Sequence, residues 1–158
     1  MIVPAKLCGL VVEDNEYSRS LAVESLNRLG IGTILEASDG TEGLAILQKQ
    51  PVDFVVLDWY MPEISGAGFI RLVRGGQANC RADLPIIIST AYATRENISR
   101  MRELGLKEVL IKPFDVKQLS ASISSALSNI SVEISVAEPE NSSDHTEDDE
   151  DNRTQVLL

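Results

Sequence analysis

The stretch Val52-Asp53-Phe54-Val55-Val56-Leu57-Asp58, followed at once by Trp59-Tyr60-Met61-Pro62, decides the fold. Its apolar run is of strand length and too continuous for a half-exposed strand, so it reads as one buried on both faces of a parallel sheet. The run closes on a carboxylate, Asp58, where a parallel sheet delivers reactive groups to the crevice beyond its strand ends. Two other runs end in the same manner. Leu7 to Val12 is closed by Glu13-Asp14, and Val109 to Ile111 by Lys112-Pro113. Acid, acid and base at three strand ends suggest one assembled charged site.

Working outward, strand-length runs alternate with segments of helical period. The first strand, near Leu7 to Val12, is followed by a helix with Leu21, Leu26 and Leu29 assigned to one face and Gly30 as its stop. A short strand near Thr33 to Glu36 precedes Asp39-Gly40-Thr41-Glu42, a capping-box pattern that opens a helix through Leu47. After the Val52–Asp58 strand, a third helix begins near Ser65-Gly66 and ends at Gly75-Gly76. Leu84 to Thr90 is the fourth strand, and Thr94 caps a helix stopped by Gly105. Glu108 to Ile111 is the fifth strand, and Asp115 caps a last helix running to about Ile130.

Five β-α units with right-handed crossovers place helices on both faces of the sheet. Strand orders 2-1-3-4-5 and 3-2-1-4-5 both fit. Only the first sets strands one and three side by side at the topological switch point, which brings Glu13-Asp14 next to Asp58. The acids select the topology: a doubly wound α/β fold, flavodoxin-like, with a five-stranded parallel sheet.

Composition narrows the function. The chain has 158 residues, 44% of them hydrophobic but only 4% aromatic, so its core is aliphatic. The formal charge of −10 is uneven: residues 131–158 hold nine acids against Arg153 alone, a net −8, and residues 1–130 carry −2. The expected division is a domain over 1–130 and an acidic, disordered tail over 131–158, since the tail is too polar to offset its ordering entropy. Neither part has the basic face of a nucleic-acid binder. No apolar stretch approaches the ~18 residues of a membrane span, and the N-terminus lacks a signal pattern, so the expected location is cytoplasmic. Cys8 and Cys80 are expected to be unpaired, and His145, the only histidine, is expected to be a solvated tail residue.

Converging carboxylates repel one another unless a cation sits among them. Acid-only oxygen ligands suit a hard divalent ion, Mg²⁺. A lysine in the same site adds charge suited to a phosphoryl group, whose oxygens metal and ammonium share. Asp58 is the expected covalent acceptor, forming an acyl phosphate, and the Thr90 hydroxyl is expected to donate to a phosphoryl oxygen.

These residues carry a resemblance. VVEDN (Val11 to Asn15), VVLDWYMPEISG (Val55 to Gly66), IISTAYA (Ile87 to Ala93) and IKPF (Ile111 to Phe114) span residues 6–130 at the spacing of the two-component response regulator receiver domain family, which the chain resembles. The resemblance implies Asp58 as phosphoacceptor and Glu13 and Asp14 as Mg²⁺ ligands. It also implies that Tyr60 lends its backbone carbonyl to the metal, that Thr90 shifts on phosphorylation, and that Lys112 pairs with Asp58 or its phosphoryl group across a cis Lys112-Pro113 bond. A histidine kinase or histidine phosphotransfer protein would be the donor and a protein the downstream target, with the domain a monomer or weak dimer. The activity implied is self-catalysed phosphorylation and slow autodephosphorylation, without enzymatic turnover of other substrates.

The chain departs from the family at Val109, where a switch aromatic is usual, and Tyr92 is a candidate substitute. Tyr60 and Tyr92 occupy the variable positions flanking the pocket, where bulky rings are expected to prolong the acyl phosphate. Two other readings compete. A phosphohydrolase of the haloacid dehalogenase type needs an Asp where Tyr60 stands, and a degenerate receiver-fold interaction domain would act without phosphorylation.

Overall fold

The computed structural model describes residues 2–128; the expected tail, His145 and the expected helix end near Ile130 lie outside them. The elements are β1 (Cys8–Val12), α1 (Glu16–Arg28), β2 (Thr33–Ala37), α2 (Gly40–Lys49), β3 (Phe54–Asp58), α3 (Gly66–Arg74), β4 (Ile86–Thr90), α4 (Arg95–Glu103), β5 (Val109–Ile111) and α5 (Val116–Ser128). The strands form one parallel sheet in the order β2-β1-β3-β4-β5, as the acids required.

Strand alternation divides the core in two. Leu10, Val12, Val55, Leu57, Ile86, Ile88 and Val109 face a layer that includes Leu47 of α2, Phe69 and Val73 of α3, and Ile98 and Met101 of α4. Val11, Phe54, Val56, Ile87 and Leu110 face Ala22 and Leu26 of α1 and Leu119 and Ile123 of α5. β3 is buried along its whole length, which is why its sequence lacks alternation. Phe54, fully buried, contributes on the order of 2–3 kcal/mol by burial alone. It lies so close to β1 that a Cβ on Gly9 would stand 2.6 Å from its ring.

Helix starts are set by side-chain caps. Asn15, Asp39, Ser65 and Thr94 each accept the N–H three residues on, at 2.8–3.2 Å. Asp115 and Gln118 form a reciprocal box, at 2.7 and 2.9 Å. At α2 the box is incomplete, because Glu42 accepts from the Ser38 hydroxyl.

One expectation about α1 is corrected. Leu21 is exposed, and the buried face is Ala22 and Leu26. Leu26 lies five positions after Leu21, which at 100° per residue turns them about 140° apart, so they do not share a face. Several strands are also a residue or two shorter than their apolar runs; Val52 and Asp53, for instance, precede β3.

Candidate functional site

Each charged residue of the pocket is held by backbone pairing at a strand end. The Glu13 N–H donates to Ala37 O at 3.0 Å, just past the last pair of β1 and β2. Asp58 is the last residue of β3, opposite Ser89, whose carbonyl accepts the Trp59 N–H at 3.2 Å. The Lys112 N–H donates to Thr90 O at 2.8 Å, tying the end of β5 to that of β4. On the other side of Asp58, the Gly66 N–H donates to Trp59 O at 3.1 Å. A Cβ at position 66 would stand 2.9 Å from Asp58 O and from Trp59 Cα, so only glycine lets α3 start this close to the end of β3.

The side chains converge as expected. Carboxylate oxygens of Glu13, Asp14 and Asp58 lie within 4.8 Å of one another. Glu13 and Asp58 are buried, whereas Asp14 is exposed at the rim. Lys112 Nζ donates to Asp58 Oδ1 at 3.3 Å and also to Glu13 Oε1, forming a bridge between the two buried acids. The contact with Glu13 is additional to the expected pairing with Asp58. The Lys112–Pro113 peptide is cis.

Electrostatics follow from this crowding. Burial, together with the hydrogen bond and charge of Glu13, pushes the Asp58 carboxyl up to about 7, against the opposing pull of Lys112. Burial alone would lower the Lys112 ammonium, but its hydrogen bond to Glu13 and the charges of Asp58 and Glu13 outweigh that, and the net shift is upward. Three carboxylates against one ammonium leave the pocket short of positive charge. The donor set is all oxygen and hard, with one acid open to solvent, and it fits Mg²⁺ with water completing the shell.

Thr90 is fully buried, and its hydroxyl accepts the Tyr92 N–H at 2.9 Å, in the β4–α4 loop. The Tyr60 and Tyr92 rings meet edge to face, with centroids 5.3 Å apart and planes at 88°. Both rings are more than half exposed, at 51% and 61%. Val109 is buried opposite Ile88 in the α2–α4 layer, so an aliphatic side chain fills the place of the usual aromatic.

Two participants escaped the sequence reading. Arg19 of α1 donates to Glu13 O at 2.9 Å and pairs with Glu36 at 3.3 Å, bracing the acidic turn. Asn97 of α4 donates from Nδ2 to Tyr60 Oη at 3.0 Å and to Tyr92 O at 2.8 Å. An arginine one turn into a helix after paired acids was a usable signal; nothing local marks Asn97. Cys8 and Cys80 are both free. Among the described residues no helix is long and apolar enough to cross a membrane.

A parallel 2-1-3-4-5 sheet with paired acids, a buried aspartate and a lysine at its strand ends defines a class, and comparison with known proteins agrees. The chain belongs to the response regulator receiver domain family, whose model matches residues 10–124. A "Probable chemotaxis protein CheY" of Rhizobium etli is 36% identical over 123 residues, covering 78% of this chain and 94% of that protein. Chemotaxis protein CheY of Pseudomonas aeruginosa is 33% identical over 114 residues, covering 72% and 90%. Among solved structures, the chemotaxis response regulator CheY4 of Vibrio cholerae superposes with a TM-score of 0.68 at 27% identity, covering 77% of this chain and 98% of that one.

Proposed function

We propose that the domain is a phosphoacceptor that takes a phosphoryl group on Asp58, with Mg²⁺ held by Glu13, Asp14, Asp58 and the Tyr60 carbonyl, and signals by protein contact. The observation that carries this reading is the convergence of two buried acids and Lys112 on one strand-end pocket. An Asp58 oxygen attacks the phosphorus of a phosphohistidine on a histidine kinase or phosphotransfer protein. The P–N bond breaks as the O–P bond forms, and the electron pair returns to the imidazole. Only the carboxylate form is nucleophilic, and the carboxyl is pushed up to about 7. Mg²⁺ held by these residues would supply positive charge to keep Asp58 ionised and to offset the phosphoryl oxygens. Lys112 turns its ammonium from Asp58 to a phosphoryl oxygen, and Thr90 donates its hydroxyl to another.

The chemistry is one transfer followed by slow hydrolysis, without turnover of a separate substrate. The downstream target is a protein, the compartment is cytoplasmic, and the domain acts as a monomer or weak dimer. Incubation with acetyl phosphate and Mg²⁺, followed by intact mass measurement, tests this. The expected result is a gain of one phosphoryl group that vanishes with chelator and in Asp58→Asn. A gain that survives Asp58→Asn overturns the assignment of the acceptor, and no gain returns the domain to a receiver fold acting without phosphorylation.

A further inference from the structure

Asn97 joins three parts of the molecule that the pocket itself leaves separate. Its backbone N–H belongs to the Thr94 cap of α4, at 3.2 Å. Its side chain is nearly buried, and Nδ2 reaches two acceptors, the Tyr60 phenol and the Tyr92 carbonyl. A carbonyl cannot donate, so the amide nitrogen must face Tyr92 O, which fixes the orientation of the group. The Tyr92 N–H in turn donates to the Thr90 hydroxyl. A continuous chain therefore runs from Thr90, through the Tyr92 peptide and the Asn97 amide, to the phenol of the residue two past Asp58. The two rings are more than half exposed; Asn97 bonds the Tyr60 phenol directly and the Tyr92 main chain, and the rings meet each other edge to face.

We propose that Asn97 is a positioning residue that holds the Tyr60 and Tyr92 rings beside the Asp58 strand end and passes displacement of the Thr90 hydroxyl to the first turn of α4. This rests on the reading of Asp58 as acceptor. A phosphoryl oxygen that draws the Thr90 hydroxyl toward Asp58 removes the acceptor of the Tyr92 N–H. The Tyr92 peptide turns, its carbonyl leaves the Asn97 amide, and α4 loses a tether at its capped end. The route requires no ring on β5, where Val109 is packed in the core.

Amide hydrogen exchange, with and without acetyl phosphate and Mg²⁺, tests the relay, with mass gain recorded for every sample. In the wild type, phosphorylation should raise exchange at the Tyr92, Asn97 and Ile98 amides by about threefold to tenfold, the range set by losing one neutral hydrogen bond. Asn97→Ala should show the raised exchange at the Asn97 and Ile98 amides beforehand and no further response there, while the Tyr92 amide, bonded to Thr90 upstream of the substitution, still responds; a merely structural role would not produce this split. Asn97→Asp keeps the shape but not the donors and should behave likewise. A response of normal size at the Asn97 and Ile98 amides in both variants overturns the relay. Mass gain with unchanged exchange in the wild type overturns the relay alone, whereas absence of mass gain overturns the Asp58 reading and the relay with it.

Discussion

The acid–lysine pocket and the neighbouring tyrosine pair occupy the same edge of the sheet but are held by opposite means. Glu13, Asp58 and Lys112 are charged, sit at or beside strand ends, and are anchored by main-chain hydrogen bonds to adjacent strands. Tyr60 and Tyr92 are neutral and largely exposed, and are anchored by each other and by one amide from α4. The first arrangement fixes atoms and stores electrostatic tension; the second is cheap to rearrange. Under the proposed function, the first would be the rigid place for chemistry and the second the compliant place that reports it.

The largest expected effect bears on the tension in the pocket. Asp58 has an ordinary value of 3.8 and is pushed up to about 7, chiefly by burial. The folded state therefore binds the proton better than the unfolded chain. Its stabilising contribution is complete below about pH 4 and is lost as pH rises through about 7. Metal-free wild type should lose about 2–4 kcal/mol relative to Asp58→Asn between pH 4 and pH 8. Urea midpoints across that range measure the gap, and millimolar Mg²⁺ should narrow it. A gap independent of pH would contradict the picture of a strained pocket.

Next in size is Lys112→Met, which leaves the two buried acids without their counter-charge. It should cost about 3 kcal/mol at pH 8 without metal, read by chemical denaturation. The tyrosine pair should respond in rate. Tyr60→Ala combined with Tyr92→Ala should speed loss of the phosphoryl label by about tenfold, or about 1.4 kcal/mol in the barrier. Unchanged decay would mean that the rings do not restrict the attacking water. The smallest effect belongs to Thr94→Ala, which removes the α4 cap and should cost about 1 kcal/mol while Asp58 still gains mass.

The two regions also differ in how well the sequence announces them. Strand-end acids and the Lys-Pro pair were legible because the sheet's register places successive strand ends together, and the acids themselves chose between two strand orders. Caps at Asp39, Thr94 and Asp115 were legible for a local reason, since one side chain satisfies one nearby N–H. Leu21 is ambiguous in the sequence because residue type alone does not carry the angular offset that separates it from Leu26. The Lys112–Glu13 contact and the role of Asn97 were illegible because each joins residues far apart in the chain, 99 positions in one case and 37 in the other. No local pattern encodes such a contact.

The missing side chain at Gly66 has a consequence for how such domains diversify. Asp58 is pinned on one flank by β4 and on the other by the turn that closes on Gly66. Residues 60–65 form a loop whose two ends are fixed independently of its contents. Mutation can therefore rewrite Tyr60 and its neighbours without shifting the Asp58 strand end. If Asp58 is the proposed acceptor, signal lifetime and signal acceptance become separately heritable traits.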